Sequence, residues 1–196
     1  MRVLTFEEVF VTRMLCRHGN CERITNFLRT LSRHHKKKQA AAFTRDELFR
    51  FLRDAPNDGK NLVDKLIVLC GFYGGLRSTE IVTLTWEEVA FTEDGMLVTI
   101  GQSKTDRAGI GAVKLLPKLD DEELCPVHYF RVYEGQVKQT CGRLFCQYRQ
   151  GTFTRMAVGK TAIANVPKTV ASFLKLENPT TYTGHSLRVS SASDGR

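Results

Sequence analysis

The chain has 196 residues, 42% apolar and 26% charged, a balance that allows one sizeable core and excludes a disordered or membranous composition. Its longest apolar run, residues 66–73, is far shorter than the roughly 20 residues of a membrane span, and the N-terminal MRVLTFEEVF carries acids inside its apolar stretch, unlike a signal peptide. The net charge of +8 is concentrated early, because residues 1–53 hold 12 Lys and Arg against 5 Asp and Glu while the remainder hold 17 against 16; a phosphate-rich partner and a solvated basic helix both account for it.

In chain order, apolar residues at Phe6, Val9, Phe10, Met14 and Leu15, then at Ile24, Phe27, Leu28 and Leu31, predict two helices joined by a turn at His18-Gly19-Asn20. HHKKKQAAA then reads as a linker. Thr44 and Glu47 make a capping-box pair at the start of the next helix, with Phe43 and Leu48 spaced to staple it. Residues 61–73 predict a buried helix ending at Gly74-Gly75, and Ser78 is placed to cap a short helix carrying Ile81, Val82 and Leu84. MLVTIG and AVKLLP then read as strands around a polar hairpin tip, QSKTDRAGIG. Pro126 suits a first helical turn, and its helix is expected to run to about Lys138. Another helix starts near Lys160, where Pro167 predicts a break or a new start, and Asn178-Pro179 closes that stretch. A last helix begins at His185. The expected fold class is mainly α with a small antiparallel β-sheet, around residues 89–116.

Three stretches carry chemistry. GGLRSTEIVTLTW sets Arg77 between two glycines and a helix start, SKTDR lifts Lys104 on a hairpin tip, and TGHSLR puts His185 and Arg188 three residues apart on one helical face. Two arginines, a lysine and a histidine at one point suit a phosphodiester, since each guanidinium offers a rigid fork of donors to phosphate oxygens. A lysine on a hairpin can deliver a proton to a leaving hydroxyl, and a neutral imidazole can receive one.

In order and local context these boxes resemble the tyrosine recombinase (phage integrase) family, and its Crypton-type eukaryotic members in particular. Gly75-Leu76-Arg77 matches the first box, with Glu80, Leu84 and Trp86 in place; Lys104 matches the hairpin lysine; His185 and Arg188 match the His-x-x-Arg box inside YTGHSLRVSSA. The resemblance covers about residues 40–193 and implies the catalytic-domain fold of these DNA breaking and rejoining enzymes. It implies that Arg77 and Arg188 clamp the scissile phosphate, that Lys104 protonates the 5′-oxygen leaving group, and that His185 assists proton transfer at the nucleophile. Glu80 would brace Arg77 or His185. Residues 1–38 would be a helical remnant of an N-terminal DNA-binding domain plus basic linker, and 39–196 a catalytic domain incomplete at its C-terminus. The expected partner is double-stranded DNA, with a homo-oligomer assembling on it, no cofactor, no membrane, and a nuclear location in a eukaryote.

One departure bears on activity. In the family a further His or Trp and then the nucleophilic tyrosine follow the second arginine, whereas Tyr73, Tyr129, Tyr133, Tyr148 and Tyr182 all precede Arg188. Covalent phosphotyrosine chemistry needs a positioned attacking oxygen, so the chain as given is expected to be inactive in strand cleavage. A domesticated non-catalytic DNA-binding or chromatin-associated module is the alternative, and a helical protein-interaction fragment with a basic face a third. The basic run containing Arg33, Lys36, Lys37 and Lys38 fits a DNA-contacting linker, a nuclear import signal or a solvated tether. Cys125, His128, Cys141 and Cys146 have a spacing loosely compatible with zinc, although Leu-Cys-Pro-Val also resembles a loop-to-helix transition of the family. Six cysteines are too few for a disulfide framework and fit a reducing intracellular compartment.

Overall fold

The computed structural model describes residues 40–101, 111–137 and 142–194, with Asn26 alone before them. The chain divides into two units, Met1–Gln39 and Ala40–Arg196, and the second holds the elements that follow. The two N-terminal helices and their linker, the hairpin tip and Cys141 lie outside the described residues.

Helix α1, Arg45–Asp54, begins as its sequence dictates: the Glu47 amide donates to Thr44 Oγ1 (3.3 Å) and the Thr44 amide to Glu47 Oε2 (2.8 Å). These reciprocal bonds satisfy two of the free donors of the first turn and fix the direction in which Leu48, Phe51 and Leu52 enter the core. Helix α2, Gly59–Phe72, is apolar on nearly every face and is buried along nearly its whole length, so it is the axis of the domain. It ends at Gly74 and Gly75, the latter left-handed at φ +60°, and the Leu76 amide returns to the Cys70 carbonyl. Helix α3, Ser78–Ile81, follows at once. Its N-cap is Arg77, not Ser78, because the Glu80 carboxylate reaches back to the Arg77 amide and closes the turn from below.

A single 3₁₀ turn, Trp86–Glu88, leads into β1 (Val89–Phe91), β2 (Gly95–Ile100) and β3 (Ala112–Pro117), an antiparallel sheet in the order β1-β2-β3. Val89 pairs with Val98, and Val98 with Lys114, so Met96, Val98, Ile100 and Leu116 share the inner face and are buried. Helix α4, Pro126–Gln136, starts on its proline, ends two residues before the expected limit, and buries Tyr129, Phe130 and Tyr133. A second hairpin, β4 (Cys146–Arg149) and β5 (Thr152–Ala157), was not expected; it turns through Gln150 and Gly151, both left-handed at φ 50° and 81°.

Helix α5, Lys160–Phe173, runs straight through Pro167. The expected break does not occur. Proline removes one backbone bond at a cost of about 3 kcal/mol, and burial of Ile163, Val166, Val170 and Ala171 on the same helix is large enough to offset it. A 3₁₀ turn, Pro179–Thr181, precedes the last helix, α6, Ser186–Asp194. The domain is thus mainly α with small antiparallel sheets, and among the described residues no helix is long and apolar enough to cross a membrane.

Candidate functional site

The site is assembled where the end of α2 and the start of α3 meet the start of α6. Arg77 stands at the N-cap of α3 with its side chain 40% exposed, and its Nη1 donates to Glu80 Oε1 at 2.7 Å. The other oxygen of the same carboxylate accepts from the Arg77 backbone amide at 2.8 Å. One Glu80 side chain, only 12% exposed, therefore fixes both the backbone and the guanidinium of Arg77, which leaves the rest of the fork of donors for a ligand.

Arg188 lies two residues into α6 from its first residue, half-buried, and its Nη1 donates to the Gly75 carbonyl at 3.2 Å. Gly75 presents this carbonyl from a left-handed backbone at φ +60°. Two further glycines let α6 and its leading loop approach. A Cβ on Gly71 would lie 2.6 Å from Leu187 Cβ, and one on Gly184 would lie 2.5 Å from Ser78 Oγ and 3.2 Å from Ala164 Cα. Only hydrogen in place of a methyl group permits that distance. Glycine inside an apolar helix such as LCGFY is the sequence signal for a close approach.

His185 is exposed immediately before α6, and its carbonyl accepts the first helical bond from the Val189 amide (3.1 Å), which makes it the N-cap residue. The preceding turn is closed by Thr183 and Ser186, whose side chain and backbone exchange bonds: Thr183 N to Ser186 Oγ at 2.9 Å and Ser186 N to the Thr183 carbonyl at 2.8 Å. The structure therefore brings the segments bearing Arg77, Glu80, His185 and Arg188 together. Lys104, Arg33, Lys36, Lys37 and Lys38 lie outside the described residues.

Of the possible zinc ligands, the described Cys125, His128 and Cys146 do not group together, and Cys141 lies outside the described residues. Cys125 is buried and its Sγ accepts from the Leu119 amide at 3.4 Å, Cys146 is buried on β4, and the His128 ring lies 3.7 Å from Glu122. Among the described residues no three or more His, Cys, Asp or Glu are grouped to hold a metal ion.

No family model matches the chain. Among curated proteins it is 26% identical over 128 residues to the "Integrase/recombinase xerD homolog" of Selenomonas ruminantium, an alignment covering 65% of this chain and 37% of that protein. Among solved structures it is similar to the XerA recombinase, with a TM-score of 0.59, 16% identity, and coverage of 82% of this chain and 50% of that one. It is also similar to the XerH site-specific recombinase bound to its difH substrate (TM-score 0.57, 15% identity, 81% and 44% covered). A lambda integrase dimer bound to a COC′ core site follows at a TM-score of 0.51 and 17% identity, with 80% and 41% covered. The chain thus spans half or less of each of these proteins. Its fold is that of the tyrosine recombinase catalytic domain, and its sequence relative carries the same integrase/recombinase name.

Proposed function

We propose that this tyrosine recombinase-like domain binds duplex DNA and grips a backbone phosphate between Arg77 and Arg188. The observation that carries this reading is the bond from Arg188 to the Gly75 carbonyl, because it sets the second guanidinium two residues from the first arginine. Glu80 braces Arg77, and His185, exposed at the head of α6, is the proton-transfer group at the attacking oxygen. Lys104 is the donor to the 5′-oxygen leaving group. Such a site acts by positioning and by neutralising charge that develops on phosphate oxygens. The finer reading is a Crypton-type recombinase of transposable-element origin, acting in the nucleus as an oligomer on DNA; the structurally similar XerH and lambda integrase were solved on DNA, the latter as a dimer.

The 196 residues bind without cleaving. Tyr129 and Tyr133 are buried, and their hydroxyls donate to backbone carbonyls at 2.8–2.9 Å. Burial pushes the Tyr129 phenol up to about 12. The Tyr73 hydroxyl is buried too. Tyr148 packs its ring on Gly59, and the Tyr182 ring lies tilted against Phe43 at 4.4 Å, its phenol raised by burial and by the neighbouring Glu47. All five tyrosines precede Arg188 in the chain, whereas the nucleophile of the family follows the second arginine, which supports the non-cleaving reading.

The test measures duplex affinity against salt concentration. Arg77→Gln and Arg188→Gln should each lower the salt slope by about one, and Glu in place of Lys36, Lys37 and Lys38 should flatten it further. A salt-independent affinity would exclude the reading. On a nicked suicide substrate the chain should leave no protein–DNA adduct on a denaturing gel. An adduct mapping to any of the five tyrosines would overturn the non-cleaving assignment.

A further inference from the structure

Helix α6 carries Arg188, yet its local sequence, SLRVSSASD, has few apolar residues to hold it in place. Leu187 is its one large buried side chain, and it rests on Gly71. The opposite attachment is polar. Ser190 is 2% exposed, accepts a bond from the Phe43 amide at 2.8 Å and donates to the Ser186 carbonyl at 3.0 Å. The Ala41 amide donates to the Thr181 carbonyl at 3.2 Å, and the Phe43 ring packs tilted against Tyr182 at 4.4 Å. The stretch from Ala41 to Phe43 is thus bound to the residues on both sides of His185 and Arg188. It leads directly into α1, whose capping box fixes it from the other end.

We propose that Ser190 is a positioning residue for the phosphate clamp: its buried hydroxyl ties α6 to the backbone at Phe43 and so holds Arg188 on the Gly75 carbonyl. This rests on the phosphate-binding reading of Arg188 only for its functional consequence. The physical reason is the geometry of the hydroxyl. It accepts from one segment and donates to the other, so it keeps a buried amide satisfied only while α6 stays where it is. Alanine at this position leaves the Phe43 amide without that acceptor, and α6 gains freedom to shift about its packing on Gly71. Arg188, one turn away from Leu187 in neither direction but directly next to it, moves with the helix.

The test has two arms on the full chain. In the first, the heteronuclear NOE of the Arg188 side-chain Nε–H is compared in the parent chain, Ser190→Ala, Ser190→Thr and Ile163→Val, the last a core change on α5 that lowers stability while keeping both partners of the Ser190–Phe43 bond. The NOE should drop in Ser190→Ala, recover in Ser190→Thr, and stay at the parent value in Ile163→Val. In the second, the affinity penalty of Arg188→Gln for a DNA duplex is measured in the parent and in the Ser190→Ala background. The penalty should shrink at least threefold in the latter, because an arginine already displaced has less to lose. Should Ser190→Ala fail to fold, Tyr182→Leu loosens the same attachment without leaving an unpaired amide and carries both comparisons. An Arg188 as rigid in these variants as in Ile163→Val, or an equal penalty in both backgrounds, overturns the proposal. If the NOE drops while the parent chain binds no DNA, the positioning role stands and the nucleic-acid reading is the one that falls.

Discussion

The approach of α6 to α2 rests on a missing methyl group, so Gly71→Ala is the sharpest perturbation of the site that alters no charge. The added Cβ would lie 2.6 Å from Leu187 Cβ, 2.8 Å from its Cδ1 and 3.3 Å from its Cγ. Carbon atoms in contact sit about 3.5–4.0 Å apart, so a shift on the order of 1 Å is required. Leu187 Cβ is fixed to the α6 backbone and cannot rotate away, which means the helix itself must move. Overpacking of this kind costs about 1–3 kcal/mol, while alanine in a helix interior returns up to about 1 kcal/mol over glycine. The net is a loss of roughly 1–2 kcal/mol, or about 4 °C in Tm for a domain of this size. Gly135 on α4 is the internal control, because a Cβ there meets nothing within 4 Å. Gly135→Ala should stabilise by about 0.5 kcal/mol, less than the full propensity gain because it sits at the end of its helix. Thermal and urea denaturation of the two variants against the parent chain read the contrast directly. Equal stabilisation by both substitutions would refute the packing of α6 on Gly71.

Burial pushes the Lys65 ammonium down to about 8 from 10.5, so above pH 8 the folded chain sheds a proton that the unfolded chain keeps, and stability should rise with pH across that window by roughly 3 kcal/mol at most. The Cys70 thiol and Tyr129 phenol, both pushed up to about 12, act in the opposite sense above their ordinary values of 9.0 and 10.0, so the rise is read as the difference between the parent and Lys65→Met, and a pH-independent difference would refute it. Tyr133→Phe should cost about 1–3 kcal/mol in urea melts, since its hydroxyl donates to the Leu144 carbonyl at 2.9 Å and accepts from the buried Cys146 amide at 2.8 Å; a neutral result would mean the amide finds another acceptor. Glu80→Ala should weaken duplex binding several-fold although it adds net positive charge, because Arg77 loses both its anchors; tighter binding would show that Glu80 merely opposes DNA.

What could be read from the sequence was local. The Thr44 and Glu47 pair closes within one turn, and so does the His185 and Arg188 spacing, which makes both visible in a short window. The hairpin of β2 and β3 showed itself through two strand-like runs and a polar tip. The hairpin of β4 and β5 did not, because β4 buries Cys146 while leaving Tyr148 and Arg149 toward solvent, and the Gln150-Gly151 turn was its one clear mark. Pro167 misled for the opposite reason: its local penalty is real, but the buried face of α5 outweighs it, a tertiary effect with no signature at the proline itself. The contacts that build the site are of this second kind. Gly71 with Leu187, Gly184 with Ser78, and Ser190 with Phe43 join residues from distant parts of the chain, and no periodicity announces which glycine or serine will meet which partner.

Those contacts also answer an electrostatic difficulty. Two guanidiniums gathered at one phosphate, as proposed, would repel, and the repulsion grows as water is excluded. Each arginine here has its own compensation. Arg77 is paired with the Glu80 carboxylate. Arg188 binds a carbonyl just beyond the C-terminus of α2, a helix of 14 residues whose end carries a partial negative charge that favours a cation. Both arginines are therefore held in place by the protein itself, so little ordering would oppose the proposed phosphate binding. Two guanidiniums against one carboxylate leave a single net positive charge among these side chains, and a phosphodiester brings a single negative one. Removing the carboxylate would raise the charge but release Arg77, which is why the sign of the Glu80→Ala effect separates a site that works by preorganisation from one that works by charge alone.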